Sequence, residues 1–180
     1  MLDIKDAVAV ITGGSGGIGL ALARYWVGNG GKAVLADIAG PLQAAAADIE
    51  SLGGDVSTFA CDVTSEEDCG RMADFAIERY GAINLVAPFA GITKDGLMVT
   101  PDYRGKIAKK MTLDQFQSVI NINLTGVFLT VRECAERMIN NDCKGLICLI
   151  SSTGSLGTAG QMNYSASKAA VSVMPRVITA

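Results

Sequence analysis

Tyr164 and Lys168 stand four residues apart in Asn163-Tyr164-Ser165-Ala166-Ser167-Lys168, and Ser151 lies thirteen positions before the tyrosine. On a helix, four residues make about one turn, so the phenol and the ammonium share a face. An ammonium beside a phenol favours the phenolate, which gives a proton donor and acceptor that works near neutral pH. The chain has no histidine, so the commonest general base is missing and this pair carries more weight. Tyrosine and lysine at this spacing are also an ordinary surface pair on many helices. The elements that would position them decide between the two readings.

Short apolar runs alternate with longer amphipathic stretches. Residues 7–12, 32–37, 56–61, 84–89 and 146–151 read as strands, nearly continuous in apolar character, as in a parallel sheet covered on both faces. Residues 17–29, 41–52, 65–80 and 112–140 read as helices. Asn29-Gly30-Gly31 supplies a left-handed stop for the first. Thr64 with Glu67, and Thr112 with Gln115, have the spacing of capping boxes. The alternation predicts right-handed βαβ crossovers and an α/β, doubly wound parallel sheet in a single domain, residues 1–180.

Composition narrows the class. Hydrophobic residues make up 49% and charged residues 18%, enough for a real core. A net charge of −3 argues against a general nucleic-acid binder. No apolar run has the length of a membrane span, and Met1-Leu2-Asp3-Ile4-Lys5-Asp6 lacks the pattern of a secretory signal. Cys61, Cys69, Cys134, Cys143 and Cys148 form no CxxC pair. An odd, scattered set fits reduced thiols in a cytoplasmic protein better than a disulfide framework or a metal site.

The first strand runs into Thr12-Gly13-Gly14-Ser15-Gly16-Gly17-Ile18-Gly19, which opens a helix. Glycines let the backbone turn sharply and approach a pyrophosphate, and the helix N-terminus offers it free N–H groups. A glycine loop alone is often only a flexible turn. Here Asp37 closes the next strand, 18 residues beyond Gly19, near the spacing of a carboxylate that binds an adenosine ribose diol. That carboxylate would repel a 2′-phosphate, and Ile38-Ala39-Gly40-Pro41 has no cation to offset it. NAD(H) is therefore expected over NADP(H). The bland reading of Asp37 is a strand-end turn residue.

Together these motifs resemble the short-chain dehydrogenase/reductase family, in the right order along the whole chain. The resemblance implies a Rossmann-type fold. Cys61-Asp62-Val63 resembles the family's adenine-contact segment, with Asp62 and Val63 toward the cofactor. Ala90 and Gly91 fall where the family places cofactor contacts after the fourth strand. Asn123, in Asn121-Ile122-Asn123-Leu124-Thr125-Gly126, matches the family's helix-four asparagine. Ser151 matches its catalytic serine, while Ser152 stands at the wrong distance from Tyr164. The resemblance implies that Ser151 holds the substrate carbonyl oxygen, Tyr164 passes the proton, and Lys168 supports the phenolate and binds the nicotinamide ribose. Asn123 would fix a water linking Lys168 to solvent. Plainer readings are a serine that ends a strand and an asparagine that bends a helix. Gly160-Gln161-Met162-Asn163-Tyr164 is similar to the 3-oxoacyl thioester reductases of the family, for acyl carrier protein or coenzyme A substrates.

The chain also departs from the pattern. Pro88-Phe89-Ala90-Gly91 stands where the family has Asn-Asn-Ala-Gly, and proline lacks a backbone donor. Residues 98–111 read as an inserted loop with Arg104, Lys106, Lys109 and Lys110 against Asp102. It is either a solvated loop or a docking patch for a phosphate-bearing carrier. The chain stops at Ala180, within the helix of Tyr164 and Lys168, and Pro175 should kink that helix. Further strands and a substrate loop, usual in the family, have no counterpart, so a truncated sheet, incomplete at the C-terminal end, is expected. The expected activity is hydride transfer between nicotinamide and a ketone or secondary alcohol. The alternative is a non-catalytic dinucleotide-binding module or an inactive fragment. A homo-oligomer is expected through the helices after Thr112 and Asn163, with Phe116, Val127, Val131 and Met138 supplying apolar contacts.

Overall fold

Strand β1 (Val8–Thr12) reads Val-Ala-Val-Ile-Thr and is buried at every residue. It pairs in parallel with β2 (Lys32–Asp37) on one side and β4 (Leu85–Pro88) on the other. Beyond β2 lies β3 (Asp55–Ala60), and beyond β4 lies β7 (Leu146–Ile147). The result is a five-stranded parallel sheet in the order β3-β2-β1-β4-β7, a Rossmann-like α/β arrangement. The computed structural model describes residues 3–38, 40–51 and 53–178. Ala39 and Leu52, the latter expected to end the second helix, lie outside them, as do the two residues at each end.

The chain divides into two compact units, residues 1–90 with 126–148, and residues 91–125 with 149–180. The first holds the sheet with α1 (Gly17–Gly28), α2 (Leu42–Glu50), α3 (Glu66–Tyr80) and α5 (Gly126–Asn140). Side chains alternate across a strand. Ala9 and Ile11 of β1 and Ala33 and Leu35 of β2 therefore share a face, and they pack with Ala23, Trp26, Leu42 and Ile49 of α1 and α2. Val8, Val10 and Val34 point the other way, toward the side of α3 and α5, which bring buried Met72, Ala73, Leu129 and Cys134. Complete burial of each large aliphatic side chain contributes about 1.5–3 kcal/mol. The Trp26 indole N–H donates to the Ala7 carbonyl at 3.0 Å, so the ring is both buried and satisfied.

The helix ends follow local chemistry. Gly30 takes φ +84°, and Gly30 and Gly31 donate to the carbonyls of Val27 and Trp26, ending α1 as expected. At α3 the expected cap shifts by one residue. Ser65, not Thr64, accepts from the Asp68 N–H, because Thr64 is held by the Asp62 carboxylate through both its N–H and its hydroxyl. Arg137 of α5 grips Asp74 of α3 with two nitrogens, at 2.8 and 3.1 Å. That contact holds the Asp74 carboxyl below its ordinary range, although the pair is half exposed and adds little stability.

Strand β7 has two residues, whereas the apolar run continues to Ser151. Cys148 donates to the Val86 carbonyl at 2.8 Å. By strand alternation, the next β4 residue facing that side is Pro88, which has no N–H for the Cys148 carbonyl. The ladder stops there. At the opposite end of β4, Asn84 accepts from the Val8 N–H at 3.0 Å and donates to the Lys144 carbonyl at 2.8 Å. A side-chain amide thus ties β1 to the segment leading into β7.

The second unit holds a hairpin of β5 (Val99–Pro101) and β6 (Ile107–Lys110), then α4 (Leu113–Ile120), α6 (Met162–Val173) and α7 (Pro175–Ile178). The inserted loop expected over residues 98–111 is therefore an antiparallel ribbon. The single helix expected over 112–140 is interrupted by a π-helical segment at Asn121–Thr125, between α4 and α5. Thr112 caps α4 as expected, accepting from Gln115 N at 3.0 Å. The Gln115 side chain does not close the box; it donates to the carbonyls of Lys94 and Asp95. Pro175 opens the short α7 after α6 has ended at Val173. Val127, Val131 and Met138, expected on an oligomer surface, are buried, because they face inward from α5. No helix of the described residues is long and apolar enough to cross a membrane.

Replacing Pro88 by Asn returns an N–H to the β4 edge that faces β7. The variant should gain about 0.5–1.5 kcal/mol in urea unfolding, one net hydrogen bond. An unchanged or lower stability would mean that something other than the missing donor ends β7.

Candidate active site

Helix α6 starts at Met162 without a side-chain cap from Gln161. Tyr164 and Lys168 stand one turn apart on it, as their spacing requires. Lys168 is only 7% exposed, so its ammonium needs an acceptor. It donates to the Ile150 carbonyl at 3.0 Å and lies 5.9 Å from the Tyr164 ring centroid. Burial pushes its pKa below the ordinary lysine value. The half-buried Tyr164 phenol makes no hydrogen bond among the described residues, so it is free for a ligand.

Ser151 lies against the same helix. Its hydroxyl donates to the Lys168 backbone carbonyl at 2.9 Å. The proton that would hold a substrate oxygen is therefore turned into the helix, and use of it requires rotation about χ1. Ser152 is occupied differently: its hydroxyl accepts from Gly154 N at 3.1 Å and opens the short 3₁₀ turn Thr153–Leu156.

Asn123 is fully buried within the π-helical segment. Its amide oxygen accepts from Ile92 N at 2.8 Å, and its amide nitrogen donates to Ile92 O at 2.9 Å. The side chain imitates a strand partner for the segment after Gly91. π-Helical turns recur at functional sites because the extra residue frees backbone groups.

Sequence reading missed Asn163. It is fully buried, accepts from Tyr164 N at 2.9 Å, and donates to the carbonyls of Lys94 at 3.0 Å and Gln115 at 3.2 Å. One amide thus holds the start of α6, the end of α4's first turn and the loop before the hairpin. The available signal was an asparagine directly before the tyrosine at a helix start, where such residues cap.

The glycine loop lies in the first unit. Gly13 takes φ +65°, and a Cβ there would come within 2.8 Å of Ala90 N. A Cβ on Gly14 would lie 2.9 Å from Leu35 Cβ, and one on Gly19 would strike the Gly13 carbonyl. Packing accounts for these glycines. Gly17 is different: a Cβ there meets nothing within 4 Å. Gly16 gives α1 no side-chain cap, and the first turn, with exposed Ile18, has no acidic residue. The open space and bare N–H groups fit the close approach of a phosphate group.

The Asp37 carboxylate is turned to this loop. One oxygen accepts from both the Ser15 N–H, at 3.3 Å, and the Ser15 hydroxyl; the other accepts from Ile38 N at 2.9 Å. Thr12 is buried and its hydroxyl accepts from Ala90 N at 3.3 Å. Asp62 and Val63 have structural work of their own: Asp62 holds Thr64, and buried Val63 packs where a Cβ on Gly126 would strike it. No hydrogen bond joins them to the loop among the described residues. The structure thus gathers Thr12 to Gly19, Asp37 and Ala90 in the first unit. Ser151, Tyr164 and Lys168 come together in the second, which also carries Gly91 and Asn123.

Residues 7–180 match the family of short chain dehydrogenases. The chain is 36% identical over 174 residues to the 3-hydroxyacyl-CoA dehydrogenase type-2 of Bos taurus, covering 93% of this chain and 64% of that protein. It is 32% identical over 173 residues to the 3-oxoacyl-[acyl-carrier-protein] reductase of Synechocystis sp., covering 95% and 66%. The crystal structure of a short chain dehydrogenase/reductase from Burkholderia phymatum in complex with NAD superposes with a TM-score of 0.88 at 27% identity, covering 99% of this chain and 60% of that one. The chain spans less than two thirds of the length of the curated relatives it matches. A strand, a glycine turn with one glycine that packing does not require, and a tyrosine one turn before a buried lysine agree with the match: the chain belongs to the short-chain dehydrogenase/reductase family.

Proposed function

We propose that this chain carries the cofactor-binding and catalytic residues of an NAD(P)-dependent oxidoreductase. It would transfer a hydride between nicotinamide and a ketone or secondary alcohol, with 3-oxoacyl or 3-hydroxyacyl thioesters as the substrate class. The carrying observation is the Tyr164–Lys168 pair: a phenol that makes no hydrogen bond among the described residues, one turn from a buried ammonium. The names of the bovine and Synechocystis relatives support the thioester class.

When bound, the nicotinamide cofactor supplies or accepts the hydride. Tyr164 gives a proton to the developing alkoxide, or takes one from the alcohol in the reverse direction. Lys168 holds its ammonium 5.9 Å from the centroid of the phenol ring, beside the group that exchanges the proton. Ser151, once its hydroxyl leaves the Lys168 carbonyl, donates to the substrate oxygen and orients it. Asn123 and Asn163 act through backbone, fixing Ile92 and the start of α6. In the first unit, Gly17 and the α1 N-terminus take the pyrophosphate, with Thr12, Gly13, Ser15, Ile18, Gly19, Asp62, Val63 and Ala90 around the dinucleotide. Asp37 takes the adenosine ribose diol, and its charge disfavours a 2′-phosphate, so NAD(H) is preferred to NADP(H). We also propose a homo-oligomer through α4 and α6, with Leu113 and Val173 among their exposed apolar residues.

One observation favours a second reading, a dinucleotide-binding module without turnover: the Ser151 proton is already committed to Lys168. NADH-dependent reduction of a 3-oxoacyl thioester, followed at 340 nm, separates the two. Cofactor binding without any turnover would leave only the module.

Gly17→Ala should weaken NADH binding at least about tenfold while leaving stability within about 1 kcal/mol of wild type, since glycine is the poorer helix former. Gly13→Ala, at positive φ and against Ala90, should cost more than that in stability. If both variants bind NADH like wild type, the loop does not hold a pyrophosphate.

Tyr164→Phe should retain NADH binding and lose about 10²–10⁴-fold in turnover, the usual contribution of a positioned acid–base group. A variant that keeps more than about a tenth of the rate excludes Tyr164 as the proton donor.

Asp37→Ala should bind NADH more weakly and NADPH no worse, narrowing the gap between them. A wild-type titration that favours NADPH would overturn the assignment of Asp37 to the ribose diol.

A further inference from the structure

The hairpin of residues 98–111 has no part in the chemistry described above. A two-stranded ribbon is marginal by itself, yet this one is carefully framed. Asp102 accepts from the backbone of Arg104 at 2.8 Å and of Lys106 at 2.9 Å, and Gly105 takes φ +75° to close the turn. Met111 N donates to Met98 O at 3.0 Å and seals the base. The acid of the segment is thereby spent on backbone donors. Arg104, Lys106, Lys109 and Lys110 are all exposed, and none enters an ion pair among the described residues. Four cations against one acid give the hairpin a charge of +3, on a chain whose net charge is −3.

Two apolar features accompany the charge. Tyr103, at the tip, is 87% exposed, with the Arg104 guanidinium 5.0 Å from its ring centroid. A flat, solvent-facing ring beside a cation is a platform for stacking a base. At the foot of the hairpin, a cleft of about 490 Å³ is lined by Met98, Leu156, Ala159, Met162 and Ala166. It is tied to the start of α6: Gly96 N donates to Gly160 O at 2.7 Å, and the Gln161 amide donates to Asp95 at 2.9 Å. All of these residues belong to the second unit. Met98 and Tyr103 are at most about 16 Å apart at full strand rise, within reach of an extended phosphopantetheine arm.

We propose that the hairpin is the docking arm for the nucleotide end of a coenzyme A thioester. Arg104 and Lys106, in the turn, contact its phosphates. Lys109 and Lys110, on opposite faces of the ribbon, add to the field that draws the anion in. Tyr103 stacks the adenine, and the pantetheine chain descends to the cleft at Met98. A carrier protein would need a broad face, whereas these cations and the single ring sit on one narrow ribbon, as suits a phosphorylated nucleotide. This inference rests on the thioester reading of the substrate.

The test is titration calorimetry on the full-length protein with coenzyme A, dephospho-coenzyme A and pantetheine. Wild type should bind coenzyme A at least about tenfold more tightly than pantetheine, as charge-assisted contacts to several phosphates imply, with dephospho-coenzyme A between them. Added salt should narrow the differences. The double variant R104Q/K106Q should lose about tenfold or more in affinity for coenzyme A, and Tyr103→Ala should weaken it further. Equal binding of coenzyme A and pantetheine by wild type, no loss in the double variant, or binding of a holo acyl carrier protein in place of coenzyme A would each overturn the proposal. Turnover of an N-acetylcysteamine 3-oxoacyl thioester by wild type keeps the two readings apart. Turnover without hairpin-dependent coenzyme A binding removes the docking arm alone, and hairpin-dependent binding without turnover removes the thioester reductase reading while supporting the docking arm.

Discussion

The end of β1 meets the end of β4 at a distance that only glycine permits. Thr12 holds Phe89 N through its carbonyl, at 3.1 Å, and Ala90 N through its hydroxyl, at 3.3 Å. The chain must then turn at Gly13, where a Cβ would collide with the backbone of Ala90. Everything at the glycine loop depends on this junction. It sets where α1 begins, and so where its unsatisfied N–H groups point. It also brings Ser15 under Asp37, the last residue of the neighbouring strand. The loop is shaped by backbone crowding first, and only Gly17 is left for which crowding gives no reason.

The second unit solves its backbone problem differently. The sheet among its described residues is only the two-stranded ribbon, and buried amide side chains take over the work of strand neighbours. Asn123 pairs with both polar groups of Ile92, and Asn163 gathers two carbonyls and one N–H. Lys168 belongs to the same scheme, because its ammonium satisfies the Ile150 carbonyl while standing at the Tyr164 ring. Burial works against the charged lysine. A cost of that kind is common where a charge is held in readiness for chemistry. Ser151 is satisfied by α6 itself, whereas the Tyr164 phenol makes no hydrogen bond among the described residues.

Much of the fold was legible because hydrophobic pattern and turn chemistry agreed. Residues 32–37 form the strand their apolar run predicts, and α1 ends where Asn29-Gly30-Gly31 says it should. Parallel strands buried on both faces leave a plain signal. Errors arose where two local options competed. Thr64 and Ser65 are equally good caps in isolation, and the Asp62 side chain decided between them by taking Thr64. The basic stretch 98–111 read as an inserted loop, yet it folds on itself as an antiparallel ribbon with a register shift between Thr100 and Pro101. Val127, Val131 and Met138 read as surplus apolar surface on a long helix, yet α5 buries them.

The sequence by itself determined the order of elements, the glycine turn and the one-turn spacing of Tyr164 and Lys168, because each follows from local propensity and periodicity. It also carried the family resemblance, which depends on motif order. Tertiary structure alone decided the partners of each polar side chain. No periodicity states that Asn123 faces Ile92, that Asn163 spans Lys94 and Gln115, or that the Ser151 proton turns toward Lys168. Those choices are made when distant backbone groups lose their water and must find the nearest acceptor or donor. The length of β7 belongs to the same class: its apolar run reaches Ser151, but a proline in the adjacent strand removed the next N–H, and the ladder ended there.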